Sequence, residues 1–77
     1  NNRIFSVILY LNQDWKPEDG GQLRVHENDT FYDIEPKMGR LVCFRSDMVE
    51  HEVLITTRPR FSITGWLRRD EPTPVFL

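Results

Sequence analysis

The sequence predicts an all-β fold of about six short antiparallel strands with almost no helix. Apolar or alternating runs of about four to eight residues are typical of strands. Turn residues separate these runs at fairly regular spacing, and no stretch shows the 3.6-residue period of an amphipathic helix. Such a pattern is typical of two facing sheets or a barrel.

The first strand is predicted at 4–11, where β-branched and aromatic residues fill both faces. Ile4, Ile8 and Tyr10 lie on one face, and Phe5, Val7, Leu9 and Leu11 lie on the other. A run that is apolar on both faces is typical of a strand buried on both sides. The other strands are predicted at 22–25, 31–34, 41–44, 51–55 and 60–67.

Turn residues separate these strands. Residues 12–20 form a polar loop with Pro17, and the pair Gly20–Gly21 permits a tight backbone turn. Residues 26–30 are predicted as a polar turn, and Pro36 and Gly39 mark the next one. The acidic residues of the first loop are most simply interpreted as solvated, with a substrate contact as the alternative; they are Asp14, Glu18 and Asp19.

Composition limits the chain to one domain of ordinary globular character. The 77 residues are 39% hydrophobic and 29% charged, with a formal net charge of -2. No apolar run approaches the roughly 18 residues of a membrane span, and the charge is unlike the basic footprint of a nucleic-acid binder. Cys43 has no partner for an internal disulfide, which favours a reducing, cytoplasmic setting.

The beginning of the chain predicts a partial domain. Asn1, Asn2 and Arg3 run directly into the first strand, without an initiator Met or the apolar segment of a signal peptide. We therefore expect residues 1–77 to be one part of a larger domain. A short tail at 70–77, which contains Pro72 and Pro74, is expected to fray.

Two histidines are the candidates for metal chemistry. His26 lies in the polar segment 26–30, where a solvated side chain is the simplest interpretation. His51 precedes Arg60 by nine positions, and a hairpin turn at 56–59 would place them on adjacent antiparallel strands. An imidazole and a guanidinium facing one cavity suit a metal ion with a carboxylate ligand between them.

Several separated segments resemble the iron(II)- and 2-oxoglutarate-dependent dioxygenases, and most closely their prolyl 4-hydroxylase branch. The segments occur in the same order as in that family. The resemblance covers about Arg3 to Asp70. The segments that carry it are 3–12 (RIFSVILYLN), Trp15, 20–24 (GGQLR), 34–36 (IEP), Leu41–Val42, Phe44, Ser46–Asp47, 51–53 (HEV) and 60–66 (RFSITGW).

This resemblance implies the C-terminal part of a double-stranded β-helix, or jelly roll. It implies Fe(II) and 2-oxoglutarate as cofactors, ascorbate as the accompanying reductant, and a protein or peptide substrate. His51 resembles the distal histidine that binds iron in the facial triad. Arg60 and Tyr10 resemble the residues that bind the far carboxylate of 2-oxoglutarate. The residues that resemble the lining of its pocket are Ile8, Leu23, Val53, Thr64 and Trp66.

Elementary electrostatics agrees with these roles. A dianion leaves water for an apolar barrel only when a fixed cation and a hydroxyl donor replace its hydration. Each residue also has a plainer interpretation. Tyr10 and Trp66 would serve as core packing, and Arg60 would serve as a surface cation on a strand.

The chain departs from the family because the His-x-Asp part of the iron site is absent. We therefore expect a parent enzyme that hydroxylates prolyl residues and an isolated chain that is inactive. A β-sandwich that binds a ligand or partner without catalysis is the alternative. The apolar face of the first strand (Phe5, Val7, Leu9 and Leu11) should lack cover, which predicts a homodimer.

Overall fold

The computed structural model describes residues 4–68, and nearly all of its regular structure is β. The strands are β1 (Ile4–Tyr10), β2 (Leu23–Glu27), β3 (Thr30–Ile34), β4 (Leu41–Arg45), β5 (Glu50–Val53) and β6 (Ser62–Arg68). A short 3₁₀ turn covers Pro17–Asp19. The all-β prediction is thus confirmed, and the tail predicted at 70–77 lies outside the described residues. Within 4–68, no helix has the length and apolarity that crossing a membrane requires.

The strands form two antiparallel sheets of three strands each. Sheet I has the order β4-β1-β6, and sheet II has the order β3-β2-β5. The predicted hairpin between β5 and β6 is therefore wrong, because these strands lie in different sheets. The segment between them first follows sheet II, where Leu54 N–H donates to Gln22 O, and then joins sheet I, where Phe61 O accepts from Leu11 N–H.

The inner faces of the two sheets follow from strand register. In sheet I, Ser6, Ile8 and Tyr10 of β1 pair with Trp66, Thr64 and Ser62 of β6. In sheet II, Leu23 and Val25 of β2 pair with Val53 and His51 of β5. Paired residues point to the same face of a sheet. These two faces are turned toward each other, because the Phe44 ring of sheet I packs edge-on against His51 of sheet II, with centroids 4.9 Å apart.

The core is small, and it lies near Tyr10, the last residue of β1. Its buried apolar side chains are Tyr10, Trp15, Leu23 and Val25. The prediction that β1 is buried on both sides holds only in part, because Phe5, Val7 and Leu9 are half-buried. The prediction of a buried strand at 41–44 is wrong. β4 is an edge strand of sheet I, and Leu41 is 63% exposed.

The turn between β2 and β3 is shorter than the predicted segment 26–30. Asn28 and Asp29 have φ of 51° and 64°, so both occupy the left-handed region. Two such residues form the primed turns that match the twist of a hairpin. The ladder consequently extends to the pair Glu27–Thr30, and His26 lies in strand β2 rather than in a turn.

Candidate functional site

Arg60 and Tyr10 form a polar pair at the packed end of the two sheets. Tyr10 is fully buried, and its hydroxyl accepts a hydrogen bond from Arg60 Nη2 at 3.3 Å. The guanidinium carbon lies 5.1 Å from the centre of the Tyr10 ring, within the range of a cation–π contact. Burial raises the pKa of the Tyr10 hydroxyl above its ordinary value, and the neighbouring Arg60 cation offsets part of that rise. The phenol therefore stays neutral and able to donate a hydrogen bond.

Gly21 holds the other side of the Arg60 guanidinium. Arg60 Nε donates to Gly21 O at 2.8 Å, and Gly21 N–H donates to Ile55 O at 3.0 Å. Both Gly20 and Gly21 have positive φ, at 77° and 69°. A Cβ on Gly20 would overlap the Ile55 carbonyl oxygen, and a Cβ on Gly21 would lie 3.0 Å from Arg60 Cδ. The glycine pair therefore lets the segment that contains Arg60 approach the backbone closely.

Arg58 anchors the same segment to the loop after β1. Its guanidinium donates to the carbonyls of Gln13 and Asp14 and to Asp19 Oδ2, at 3.3–3.4 Å. It also lies 4.7 Å from the ring centre of the buried Trp15. Asp19 is thus occupied by structural contacts, since its carboxylate also accepts from Lys16 N–H at 2.8 Å. These contacts show that the Asp19 carboxylate is neither fully solvated nor free to bind a substrate.

His51 lies in β5 with one ring nitrogen fixed by the backbone. Its Nδ1 lies 2.8 Å from Val49 O, which requires a proton on Nδ1 because a carbonyl only accepts. The neutral imidazole then carries its lone pair on Nε2, the tautomer that a metal ligand needs. Among residues 4–68, no hydrogen-bond partner occupies Nε2, and the side chain is exposed.

The predicted lining residues all lie on the inner faces. Ile8 and Thr64 are paired across β1 and β6, and Ile8 lies two residues before Tyr10 on the same face of β1. Leu23 and Val53 are paired on the facing sheet, where Leu23 is 1% exposed and Val53 is 53% exposed. Trp66 lies farther from the packed end and is 48% exposed. Burial therefore differs among the predicted lining residues, with Leu23 the most buried and Val53 and Trp66 about half exposed.

The structure does not assemble a complete metal site within residues 4–68. No three His, Cys, Asp or Glu side chains in that range lie together as ligands. His26 is on the outer face of sheet II, where its Nε2 lies 2.9 Å from Glu52 Oε2. The sequence predicted His26 in a polar turn, whereas the structure places it in strand β2 with Glu52 as a partner.

Ion pairs dominate the outer face of sheet II and the end of β4. Arg24 makes a two-pronged contact with Asp33, at 2.9 and 3.0 Å, and that hydrogen bonding lowers the pKa of the Asp33 carboxyl. Arg45 pairs with Asp47 in the same way and lowers the pKa of that carboxyl. These contacts are exposed, so solvent screens them and they add little to stability. They do neutralise two arginines.

Sequence reasoning missed two residues that shape the site. Asn12 was only the last residue of a matching segment, yet its buried amide bonds the backbone next to Arg60. Phe44 was treated as a strand residue, yet its ring contacts His51. An asparagine directly after an apolar strand was the available signal for the first. Nothing in the local sequence indicates the second contact, which joins two sheets.

Comparison with known proteins decides the family of this chain. Residues 1–68 match the family model described as the 2OG-Fe(II) oxygenase superfamily. The chain belongs to that superfamily. This confirms the resemblance on which the site residues were predicted, and it confirms the jelly-roll character of the two antiparallel sheets.

Among curated proteins, the chain is similar to several animal proteins, one of which is named as a prolyl hydroxylase. It is 40% identical over 70 residues to "Hypoxia-inducible factor prolyl hydroxylase" of Caenorhabditis elegans, covering 86% of this chain and 10% of that protein. It is 41% identical over 70 residues to "Egl nine homolog 1" of Homo sapiens, covering 86% of this chain and 16% of the relative. The chain thus spans less than a quarter of the length of these relatives.

The family implies 2-oxoglutarate and Fe(II). The described residues provide donors for a carboxylate of 2-oxoglutarate, but they provide only one ligand for iron. Arg60 Nη1 has no hydrogen-bond partner within residues 4–68, and the Tyr10 hydroxyl keeps its own hydrogen after accepting from Nη2. These free donors, around a cation beside a buried phenol, fit a carboxylate. For iron, the described residues offer the Nε2 of His51 and no further ligand beside it.

Proposed function

We propose that the protein containing this chain is an iron(II)- and 2-oxoglutarate-dependent dioxygenase that hydroxylates prolyl residues of a protein or peptide substrate. Residues 1–77 would then be the C-terminal part of its catalytic domain. Membership of the superfamily and similarity to prolyl hydroxylases support this proposal. The observation that carries it is the Arg60–Tyr10 pair, a cation and a neutral donor at the packed end of two facing sheets.

In this proposal Arg60 and Tyr10 bind the far carboxylate of 2-oxoglutarate. The guanidinium supplies the positive charge and a forked pair of donors, and the neutral phenol supplies one further hydrogen bond. Leu23 excludes water beside them, since it is almost completely buried. In a site with little water these interactions are stronger than in solution. When bound, 2-oxoglutarate would supply two electrons for the reduction of dioxygen: it would lose CO₂ and take one oxygen atom to become succinate, and the other oxygen atom would enter the prolyl C–H bond as a hydroxyl.

His51 is proposed as one of the protein ligands of iron, through Nε2. A facial triad uses two histidines and a carboxylate, so the remaining ligands must come from outside residues 4–68. We therefore expect the isolated 77-residue chain to bind iron weakly and to turn over no 2-oxoglutarate. Ascorbate belongs to the same proposal as the reductant that accompanies iron, and the single Cys43 supports a reducing, cytoplasmic compartment.

The proposed partner is a protein, with neither nucleic acid nor membrane involved. Three arginines of the described surface are paired with carboxylates, in Arg24–Asp33, Arg45–Asp47 and Arg58–Asp19. A phosphate backbone is bound by unpaired cations. Paired arginines therefore favour a polypeptide substrate.

The decisive experiment compares two histidines in the full-length parent protein. Succinate release from 2-oxoglutarate is measured with Fe(II), ascorbate and a tryptic peptide mixture, together with hydroxyproline in the peptides. We expect His51→Ala to abolish both products at every 2-oxoglutarate concentration. His26→Ala is the matched control, since it removes an imidazole from the outer face of the same sheet, and it should keep wild-type activity.

Wild-type protein that binds 2-oxoglutarate but forms neither product would favour the non-enzymatic binding module instead. Full activity of His51→Ala would show that His51 is not an iron ligand. Succinate and hydroxylated peptides in which the modified residue is not proline would keep the dioxygenase and overturn the prolyl substrate.

We also propose that the isolated 77-residue chain forms a homodimer through the outer face of sheet I. Leu9 of β1 is flanked there by Leu41 and Ile63, which are 63% and 56% exposed. β4 and β6 are the outermost strands of sheet I within residues 4–68, and an outermost strand can pair with a strand of a second copy. A second copy offers the same apolar face and the same edges.

A further inference from the structure

Asn12 lies directly beyond the end of β1 and is 3% exposed. Its Nδ2 donates to Pro36 O at 2.8 Å and to Phe61 O at 3.0 Å. Its Oδ1 accepts from Phe61 N–H at 2.7 Å. Two carbonyls require the NH₂ group and one N–H requires the oxygen, so these partners set the orientation of the amide.

Two of the three hydrogen bonds go to Phe61, and one of these two reaches the peptide unit that joins Arg60 to Phe61. Phe61 N belongs to that unit, and Asn12 holds it together with the next carbonyl along the chain. Leu11 N–H adds a backbone bond to the same Phe61 O at 3.2 Å. The backbone of Arg60 is thereby tied to the strand that carries Tyr10, which lies two residues before Asn12.

An alternative side chain would not reproduce this set of contacts. An aspartate at this position would offer acceptors alone, so its carboxylate would face two carbonyl oxygens at about 3 Å, where like partial charges repel. Alanine would leave buried polar groups of Phe61 and Pro36 without partners, which costs free energy. The amide is the group that both donates twice and accepts once at this position.

We propose that Asn12 is a positioning residue for 2-oxoglutarate, acting through Arg60. By fixing the Arg60–Phe61 peptide to the end of β1, Asn12 places the guanidinium beside the Tyr10 hydroxyl before the cosubstrate arrives. A site that is already arranged loses less conformational freedom on binding, so the affinity is higher. This inference rests on the proposed function, because it assumes that Arg60 binds the carboxylate.

The test uses the full-length parent protein with Asn12→Ala, the nearly isosteric Asn12→Asp, and Ser6→Ala as control. Ser6 is also buried on β1, at 6% exposed, and its hydroxyl bonds Ser46 at 2.7 Å, away from Arg60. Binding of 2-oxoglutarate is measured by calorimetry, hydrogen exchange at the Phe61 amide is measured by NMR, and turnover gives KM and kcat.

We expect both Asn12 variants to bind 2-oxoglutarate roughly tenfold more weakly, with KM raised and kcat at saturation largely kept. Phe61 N–H should exchange faster. Ser6→Ala should lower the unfolding temperature without changing the affinity. In an Arg60→Ala background, Asn12→Ala should have no further effect on affinity, because residues that act through one another are not additive.

Two results overturn the proposal for Asn12 alone, and they are separable from failure of the proposed function. Unchanged affinity in a folded Asn12 variant, while Arg60→Ala weakens binding, overturns the role of Asn12 alone. An additive effect in the Arg60→Ala background does the same. If Asn12→Ala does not fold, Asn12→Asp decides by the same criteria. Wild-type protein that binds no 2-oxoglutarate overturns the proposed function, and the role of Asn12 with it.

Discussion

The Nη2 atom of Arg60 lies 3.3 Å from the hydroxyl oxygen of Tyr10, although 50 positions separate the two residues in the chain. Tyr10 is the last residue of β1, and Arg60 lies in the segment that passes from sheet II to sheet I. Each residue also has a second anchor, since Tyr10 pairs with Ser62 and Arg60 donates to Gly21 O. The two residues proposed to bind the carboxylate are therefore each held at more than one point.

Arg60→Ala in the parent protein should weaken 2-oxoglutarate binding by at least tenfold. Hydrogen bonds to charged groups contribute ~1.5–3 kcal/mol each, and ~1.4 kcal/mol corresponds to a factor of ten. Arg60→Lys should recover only part of the loss, because an ammonium cannot make the planar fork. The measurement is turnover against 2-oxoglutarate concentration, and an unchanged half-saturation point would show that Arg60 does not bind the cosubstrate.

Tyr10→Phe should weaken 2-oxoglutarate binding severalfold, because it removes one donor and keeps the ring that packs in the core. Calorimetry with 2-oxoglutarate compares this variant with the wild type. Equal affinities of Tyr10→Phe and wild type for 2-oxoglutarate would show that the Tyr10 hydroxyl does not bind the cosubstrate.

The raised pKa of Tyr10 also predicts the sign of a pH effect on stability. An unfolded tyrosine ionises near pH ~10, and burial places the pKa of folded Tyr10 higher. Tyr10 therefore keeps its proton to a higher pH in the folded state than in the unfolded state. The stability of the wild type relative to Tyr10→Phe is constant below pH ~10 and falls as the pH rises beyond that value. Urea unfolding of both proteins across alkaline pH checks this. A stability difference that grows with pH would contradict it.

Gly20→Ala should destabilise the parent protein by more than the ~1–3 kcal/mol of backbone strain alone, or prevent folding. The residue has φ 77° and ψ -149°, a region that is essentially limited to glycine, and its new Cβ would overlap the Ile55 carbonyl oxygen. Gly39→Ala is the control, with a similar φ of 81° but open space around the Cβ, and should cost about 1–2 kcal/mol. Denaturant midpoints measure both. Similar losses for the two variants would show that the close approach to Ile55 is unimportant.

The isolated 77-residue chain should be dimeric by light scattering. Leu41→Lys and Ile63→Lys together place charges on the outer face of sheet I and should give a monomer. Phe31→Lys is the control, because it changes a residue that is 52% exposed on the outer face of sheet II. A wild-type monomer at high concentration would rule out association through this face.

Local pattern was sufficient for the strands and for the side of each strand on which the site residues lie. Ile8 and Tyr10 share a face because side chains alternate along a strand, and the structure keeps both on the inner face. Burial was harder to predict. Leu41 and Cys43 have the composition of a core strand, yet β4 is an edge of its sheet and exposes both. Composition describes a strand but does not say which neighbours cover it.

The sequence by itself determined the all-β class, the turn at Asn28–Asp29, the inner-facing residues and the family resemblance, because each depends on residues that are close in the chain or on a motif. Only the tertiary structure decided that His51 and Arg60 belong to different sheets, and that Asn12 and Gly21 hold the backbone and side chain around Arg60. The contacts of Gly21 and Asn12 join residues that are 39 and 49 positions apart. The physical reason is that pairing over such separations is selected by the whole set of strand neighbours, which no local pattern specifies.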